Sequence, residues 1–367
     1  MKIAYIVEPR KVIGGGVRAA INLVKALNLY HNEKSLIWGV YKDTIKDSDV
    51  ELREIATLNP ISISYFKELH RFVKSYKPEI VHCLGLYTAL VCIIYRKLYK
   101  VDFKIVLTVH RVTMNMRHKR LIKFVVNLIK KECAHVTFLT GVQQNHYFEK
   151  VKFCPESYSI IPNVIFVEDV EEKNRQQKHK ELTNELKSDI LLSYVGRIIP
   201  SKNIGDFIRI IAKLNKRGYN VGGVLVGGYD DYYYQELQTI IEEEKISEKI
   251  LFVGYVNNPT LYTASCDFTL MPTKHGEALP NLLVESYALG KITFSSDIPQ
   301  MVDLIDNGQN SFTHSLANLD DFVQMIVDVL DNQEMKLVIE KNARNTYNST
   351  YNPQVVLEKY YSIYKSI

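Results

Sequence analysis

The chain has 367 residues, which is too long for one hydrophobic core of ordinary size and suits two domains. Hydrophobic residues make up 46% and charged residues 24%, which excludes a disordered or membrane-spanning class of protein. The net charge is only +5, but residues 90–135 hold 11 Lys and Arg against 2 Asp and Glu. This local charge of +9, which leaves −4 for the remainder, predicts an anionic partner such as lipid, nucleic acid or a phosphorylated substrate.

The N-terminal residues, the length of the apolar runs and the cysteines indicate where in the cell the protein works. The first residues, MKIAYIVEPR, hold a short apolar run that fits a first strand and not a signal peptide. No apolar run approaches the roughly 18 residues that a spanning helix requires. The 5 cysteines are scattered without a C-x-x-C pair, which argues against a disulfide framework or a zinc site. We therefore expect a soluble, cytoplasmic protein.

Short apolar runs alternate with amphipathic helical stretches along the chain. Strands are predicted over residues 2–8, 35–41, 79–85, 104–110 and 135–140, with helices over 18–27 and 65–76. The charged stretch 168–188 is predicted as an interdomain linker that contains a short solvated helix. Strands resume at 189–197, 221–228, 249–256 and 267–273, and helical stretches close the chain.

Continuous apolar strands that alternate with helices indicate parallel sheets covered on both faces. We predict the α/β class with two Rossmann-like, doubly wound domains at residues 1–167 and 189–350. A C-terminal helix at 351–367 would pack back on the first domain. Ligands of such sheets bind beyond the carboxyl ends of the strands, so a site in the cleft between the domains is expected.

The segment HGEALPNLLVE (275–285) carries two carboxylates on either side of a proline. Pro280 suits the first turn of a helix that would end near Gly290. The free N–H groups around the start of this helix would attract a diphosphate. Taken alone, the two acids fit a solvated loop and an ordinary helix. As a nucleotide-sugar site, the segment offers Glu277, Leu279, Pro280, Asn281, Leu282 and Glu285 for donor binding.

Three further stretches offer groups for the same ligand. VGRIIPSKN (195–203) follows a strand and carries Arg197 and Lys202, whose charges can stabilise a departing diphosphate in place of a metal. VIGGGVRAAINL places Gly15 and Gly16 between strand and helix, where the backbone can approach a phosphate. LTVHR ends a strand with His110 at its carboxyl edge. Each stretch alone is more often a solvated or structural feature.

Together these four elements resemble the retaining glycosyltransferases of family 4, which have the GT-B fold. The resemblance covers nearly the whole chain and is strongest over residues 189–312, through SYVGRIIPSKN, LFVGYV, DFTLMPTKHGEALPNLLVESYALGK and DLIDNGQNSF. It implies retaining, metal-independent transfer from a nucleotide diphosphate sugar to a glycan or lipid-linked acceptor. The implied catalytic residues are His110, Arg197, Lys202 and Glu277. It also implies Glu285 at the ribose and Gly16, beside Gly15, near the diphosphate.

Departures from the family pattern leave alternatives open. Arg111 stands where the family often has an acid, E-G-F-P is EALP, and P-N-G is PNV at 162–164. These changes put the identity of the sugar in doubt. A nucleotide-sugar epimerase of the same fold and a non-catalytic partner of a transferase are the alternatives. Asp47 and Asp49 form a D-x-D pattern that holds manganese in another transferase fold, but we expect a solvated turn and no metal here.

The basic segment between residues 110 and 135 has the period of an amphipathic helix. A core-packed helix with a solvated basic rim and a peripheral surface for anionic membrane at residues 111–131 are both consistent with it. Nucleic-acid binding is not expected, because no known module accompanies the charge. We therefore expect an enzyme of cell-envelope or capsular polysaccharide synthesis that can lie at the inner face of the plasma membrane.

Overall fold

The computed structural model describes residues 1–10, 15–33, 35–42, 45, 50–59, 62–110, 119–275 and 278–367. These residues divide into two compact units. The first unit is Met1–Phe166 with Tyr351–Ile367, and the second is Val167–Thr350. Each unit is built on one parallel sheet.

The first unit alternates strands and helices. Its strands are β1 (Ile3–Ile6), β2 (Ser35–Tyr41), β3 (Glu51–Ile55), β4 (Ile80–Leu84), β5 (Lys104–Val109), β6 (His135–Phe138) and β7 (Tyr158–Ile160). Its helices are α1 (Gly15–His31), α2 (Ile63–Tyr76), α3 (Leu86–Tyr99), α4 (Lys119–Glu132) and α5 (Gly141–His146), and a π-helical turn follows at Tyr147–Val151. Four strands of this unit are apolar and buried almost throughout, which is the pattern of a sheet covered on both faces.

The sheet of the first unit has the strand order β3-β2-β1-β4-β5-β6-β7. One core cluster joins the sheet to α2, α3 and α4, and a second joins it to α1. The edge strand β3, ELREI, was not predicted because most of its side chains are exposed and polar. The strand β7 at the other edge was missed because it has only three residues.

The second unit repeats this plan. Its strands are β8 (Ile190–Val195), β9 (Val221–Val226), β10 (Ile250–Gly254), β11 (Phe268–Met271), β12 (Thr293–Ser296) and β13 (Phe312–His314). Its helices are α6 (Glu172–Leu186), α7 (Ile204–Lys216), α8 (Asp231–Glu244), α9 (Pro259–Ser265), α10 (Asn281–Ala288), α11 (Pro299–Leu304), α12 (Leu319–Leu330) and α13 (Gln333–Thr346). The strand order is β10-β9-β8-β11-β12-β13.

The predicted linker, 168–188, is largely helix α6 and belongs to the second unit. Leu182 and Leu186 are buried in a core cluster of this unit, and α6 packs against α9. His179 Nδ1 also lies 2.8 Å from the carbonyl oxygen of Ser265, the last residue of α9. The prediction of a linker was wrong, because these two leucines pack α6 onto the core of the second unit although the rest of the helix is largely solvated.

The C-terminal helix, α14 (Pro353–Ser366), returns to the first unit and packs against α1. Its Tyr364 hydroxyl lies 2.7 Å from His82 Nδ1 and accepts a hydrogen bond of 3.0 Å from the Tyr5 hydroxyl. His82 Nε2 lies 2.7 Å from Thr108 Oγ1. This fully buried network connects α14 to three neighbouring strands, and both ring nitrogens of His82 have partners.

The unfolding free energy of the first unit is expected to fall as the pH decreases from 7 to 5. Burial, with smaller contributions from His110 and His135, lowers the pKa of His82 to about 3. The unfolded chain binds a proton here below pH ~6.5, whereas the folded chain remains neutral, so stability is lost as the pH falls from ~6.5 towards 3. His82 alone accounts for about 2 kcal/mol between pH 7 and 5.

The fluorescence of Trp38 measures this effect, because it is the single tryptophan of the chain and is buried in β2. Urea unfolding of the wild type and of His82→Gln should show a smaller pH slope in the variant. Equal slopes in the two proteins would contradict the assignment.

Candidate functional site

The predicted donor-binding residues of the second unit follow two adjacent strands. β8 and β11 are neighbours at the point where the strand order of the sheet reverses, which is where nucleotides bind in doubly wound sheets. Arg197 and Lys202 follow β8, and the residues from Leu279 to Glu285 follow β11. The Lys274 N–H donates to the Ser201 carbonyl oxygen at 3.1 Å, which ties the two loops together. The fold thus brings these groups to one edge of the sheet.

Lys202 is held in a tight turn after β8. It closes a 3-10 turn, Pro200–Lys202, and its N–H donates to the Ile199 carbonyl at 2.9 Å. The residue is only 8% exposed, which is rare for a lysine. Asn203 follows with φ +55°, and its Nδ2 donates to Asp206 Oδ2 at 2.6 Å in the first turn of α7. The turn therefore fixes the backbone of Lys202, and burial restricts its side chain.

Arg197 differs from Lys202 in its surroundings. Its side chain is exposed, and its backbone carbonyl accepts a long hydrogen bond of 3.4 Å from the Tyr194 hydroxyl. An exposed guanidinium can reorient towards an anion with little loss of packing. The two predicted cations therefore differ in exposure, because Lys202 is buried and Arg197 is exposed.

The loop after β11 leads into α10, which begins at Asn281. Pro280 stands immediately before the helix and not in its first turn, so the predicted helix start was early by one residue. Leu279 and Leu282 have buried side chains, so only their backbone groups can face a ligand. Gly290, with φ +66°, follows the helix as predicted.

Of the two predicted carboxylates, only Glu285 lies within the described residues. Glu277 lies outside the described residues, as does Gly276. Glu285 is partly buried in the middle of α10. A carboxylate at this depth of the helix is about one turn from its N-terminal N–H groups.

Backbone contacts hold the loops after β8, β9 and β10 together. The Gly196 N–H donates to the Val226 carbonyl and the Gly227 N–H to the Gly254 carbonyl, both at 2.9 Å. A Cβ on Gly227 would lie 1.9 Å from the Gly196 carbonyl oxygen, and Gly227 has φ +141°. Only glycine therefore fits at residue 227.

Sequence reasoning missed an aromatic surface beside these loops. Tyr229 forms a β-bridge with Ile198. In the sequence, Ile198 stands between Arg197 and the turn that contains Lys202. Its ring stacks on Tyr234 with a centroid distance of 4.6 Å, and it remains partly exposed. The run GGYDDYYY directly after a strand was the available signal. An exposed aromatic face of this kind can stack on a planar ring.

The predicted residues of the first unit lie close to one another. Gly15 is the first residue of α1, and a Cβ on Gly16 would lie 3.7 Å from His110 Cδ2. His110 follows β5, and its Nε2 is buried without a hydrogen-bond partner among the described residues. Burial lowers the pKa of His110 to about 4, so the imidazole is neutral at pH 7. A neutral ring with an unpaired nitrogen is suited to a hydrogen bond with a ligand.

No group of three His, Cys, Asp or Glu in the described ranges is arranged to hold a metal ion. Asp47 and Asp49, the D-x-D pair, lie outside those ranges. Among the described helices, none is both long and apolar enough to cross a membrane.

Comparison with known proteins gives one family match. The family described as Glycosyl transferases group 1 matches residues 174–346, which include the loops after β8 and β11. The O-antigen biosynthesis glycosyltransferase WclY of Escherichia coli is 22% identical over 100% of this chain and 99% of that protein. A second E. coli protein, the UDP-Gal:alpha-D-GlcNAc-diphosphoundecaprenol alpha-1,3-galactosyltransferase, is 23% identical over 81% of this chain and 77% of its own.

Solved structures confirm the predicted fold class. Anabaena HepE in complex with UDP superposes with a TM-score of 0.84 and 14% identity, and the match covers 100% of both chains. At this identity the likeness establishes the fold alone, which is the GT-B fold of two parallel-sheet α/β units.

Proposed function

From the family match and the fold, we infer that the chain is a glycosyltransferase that uses a nucleotide-sugar donor in cell-envelope polysaccharide synthesis. The observation that best supports a donor site is the buried Lys202 next to the loop that leads into α10. It lies within the matched segment and at the edge of the sheet where nucleotides bind in this class of fold.

We propose that the reaction retains the anomeric configuration and needs no metal ion. The departing diphosphate would be stabilised by the Lys202 ammonium, the Arg197 guanidinium and the N–H groups at the start of α10. The leaving phosphate oxygen would take the proton of the acceptor hydroxyl on the same face of the sugar. No protein nucleophile is needed in this mechanism, and catalysis depends on positioning and charge.

The remaining roles are proposed from the family resemblance and the local geometry. Glu285 would bind the ribose of the donor, and Glu277 the sugar that is transferred. In the first unit, the neutral His110 would donate or accept one hydrogen bond at the sugar, and Gly16 would leave room for the donor. Tyr229 is added to this set because its exposed ring lies beside the loop that carries Arg197.

The acceptor is proposed to be a lipid-linked glycan at the cytoplasmic face of the membrane. The related E. coli galactosyltransferase is named for a diphosphoundecaprenol-linked acceptor, and WclY for O-antigen biosynthesis. HepE binds UDP, so UDP-sugars are the first donors to test.

The purified chain is expected to release UDP from one UDP-hexose in a panel, faster when a lipid-linked saccharide is present. NMR of the product should show the anomeric configuration of the donor. A product with inverted anomeric configuration would contradict the retaining mechanism but not the glycosyltransferase activity. An epimerised donor without transfer would contradict the proposed function itself.

Removal of metal ions should leave this activity unchanged. The expected result is the same turnover in EDTA as in added Mg²⁺ or Mn²⁺, because fixed cations replace the metal at the diphosphate. Asp47→Asn with Asp49→Asn should also retain activity. If EDTA abolished turnover and Mn²⁺ restored it, metal independence would be contradicted. The D-x-D pair would then be the first candidate for the metal site.

A further inference from the structure

A cavity of about 880 Å³ lies at the outer edge of the sheet of the first unit, and none of the roles proposed above uses it. It is lined by residues of β2, β3 and α2 and of the loops that follow the two strands. In the strand order, β2 is three strand spacings, or about 14 Å, from β5, the strand that His110 follows. Sites for small molecules typically have volumes of ~300–1,000 Å³. The cavity is therefore large enough for a ligand and separate from the proposed chemistry at His110.

The floor of the cavity is apolar and closely packed. Four side chains from the core of the unit line it, namely Leu36, Trp38, Ile55 and Phe72. The Trp38 ring stacks on Phe72 with a centroid distance of 5.6 Å, and Phe72 stacks on Tyr76 at the same distance. A ligand in the cavity would therefore rest on a floor that packing already holds in place.

The rim of the cavity carries charges of both signs. Its charged side chains are three cations and two carboxylates, namely Lys42, Arg53, Glu54, Glu68 and Arg71. Arg53 Nη2 also lies 2.6 Å from Glu51 Oε1, so one of the three cations is already paired. Neither Lys42 nor Arg71 forms an ion pair with a residue of the described ranges. The rim is therefore close to neutral as a whole, and its ammonium and guanidinium groups can still donate hydrogen bonds to a ligand.

A ligand of this cavity must match a neutral rim of donors and acceptors beside an apolar floor. A strongly anionic ligand would meet the two carboxylates, and a cationic ligand would meet the three cations. Sugar hydroxyls both donate and accept hydrogen bonds, so they can pair with lysine, arginine and glutamate side chains alike. The C–H groups of a pyranose ring also give it an apolar face for the floor. An uncharged saccharide therefore fits the lining in charge, polarity and size.

We propose that this cavity is a saccharide-binding site that holds an uncharged oligosaccharide segment of the acceptor, at a distance from the sugar that is transferred. The binding of a saccharide is inferred from the lining, whereas its identity as part of the acceptor rests on the proposed function. A glycan held here would raise the effective concentration of its own free end at the carboxyl ends of the strands. Long acceptors would therefore be preferred over short ones.

A strand from a second copy of the chain is the main alternative occupant, because β3 is an edge strand and pairs only with β2 among the described strands. Such a strand would add to the backbone edge of β3. The cavity lies instead over the face of the sheet, where Arg53 and Trp38 are register partners. β3 also carries Glu51, Arg53 and Glu54 as exposed charges, and charges on an edge strand oppose pairing of this kind. These observations favour a saccharide.

Titration calorimetry of the full chain with maltotriose, cellotriose and triacetylchitotriose tests the site. We expect at least one of these uncharged trisaccharides to bind and to change the emission of Trp38, the single tryptophan of the chain, which lines the cavity. Arg71→Ala should weaken this binding about tenfold or more, because it removes hydrogen bonds from a charged donor. The matched control is Lys67→Ala, which removes an exposed cation of α2 that does not line the cavity and should leave the affinity unchanged. The proposal is wrong if none of the three saccharides binds, or if the two variants bind equally well.

A second pair of variants tests whether the saccharide occupies the cavity. Ser75→Tyr places a ring in the cavity from α2 and should abolish binding. Lys74→Tyr adds the same ring at an exposed neighbour that does not line the cavity, and should bind as the wild type does. Binding that persists in Ser75→Tyr would place the saccharide elsewhere and contradict the proposal. So would a wild-type dimer that Ser75→Tyr makes monomeric, because the cavity would then belong to the contact between two copies.

These measurements need no donor, so a failure to bind saccharide leaves the proposed glycosyltransferase activity intact. Conversely, saccharide binding without UDP release from any donor would support the site and contradict the activity. Thermal melting of the four variants checks that they fold.

Discussion

Lys202→Ala is expected to lower kcat by ~10²–10³-fold, the effect of removing one preorganised donor from a developing negative charge. In the proposed mechanism charge accumulates on the diphosphate as the glycosidic bond breaks, and the Lys202 ammonium faces that charge from a tight turn. Lys202 is largely buried, so little of its side chain has to be ordered when the diphosphate binds. The measurement is kcat at saturating donor, together with the affinity for UDP.

The conservative and control variants separate charge from structure. Lys202→Arg keeps the charge but not the shape, and we expect an intermediate kcat. Lys216→Ala removes an exposed lysine of α7 that pairs with Glu244, and should leave kcat unchanged. Calorimetry on each variant checks the fold. Near-normal turnover of Lys202→Ala at saturating donor would remove Lys202 from the proposed chemistry.

Gly227→Ala is expected to destabilise the second unit by about 3 kcal/mol or more. The added Cβ would lie 1.9 Å from the Gly196 carbonyl oxygen, and both atoms belong to backbone that the hydrogen bonds of β8, β9 and β10 restrain. The positive φ of Gly227 adds a conformational cost for alanine. Because the Gly196 loop continues into Arg197 and Lys202, UDP binding should be lost together with stability.

The adjacent glycine is the control for this prediction. A Cβ on Gly228 would meet no atom within 4 Å, so Gly228→Ala should cost less than about 1 kcal/mol. Hydrogen exchange of the β8 and β9 peptides locates any loss of stability in the second unit, since the single tryptophan lies in the first. If the two variants melt at the same temperature, the close approach of the two loops is not a constraint on stability.

Much of the fold could be predicted because it depends on local patterns. The apolar strands β1, β2, β4, β5 and β6 were predicted within two residues of their ends, as were β8, β9, β10 and β11. The edge strands β3 and β7 and the strands β12 and β13 were missed. β3 is mostly polar, β7 and β13 have only three residues each, and β12, TFSS, has two serines and no continuous apolar run.

The candidate site was predicted in part. Arg197, Lys202 and the start of α10 could be recognised from residue types placed after strands, and sheet topology explains why they come together. The exposure of Arg197 and the burial of Lys202 could not be predicted, because both are cationic residues in the loop after the same strand. Tyr229 was missed because its place beside Ile198 depends on the pairing of two loops.

The amino-acid sequence by itself determined the class of the two sheets, the order of their strands and helices along the chain, and the chemical groups at the strand ends. Those properties follow from periodicity and residue type, which are local. The tertiary structure alone decided that α6 is part of the second unit, that His82 is buried between α14 and the sheet, and that Leu98 of α3 is left facing solvent. These outcomes depend on which surfaces meet, and an apolar side chain carries the same local signal whether a neighbour covers it or not.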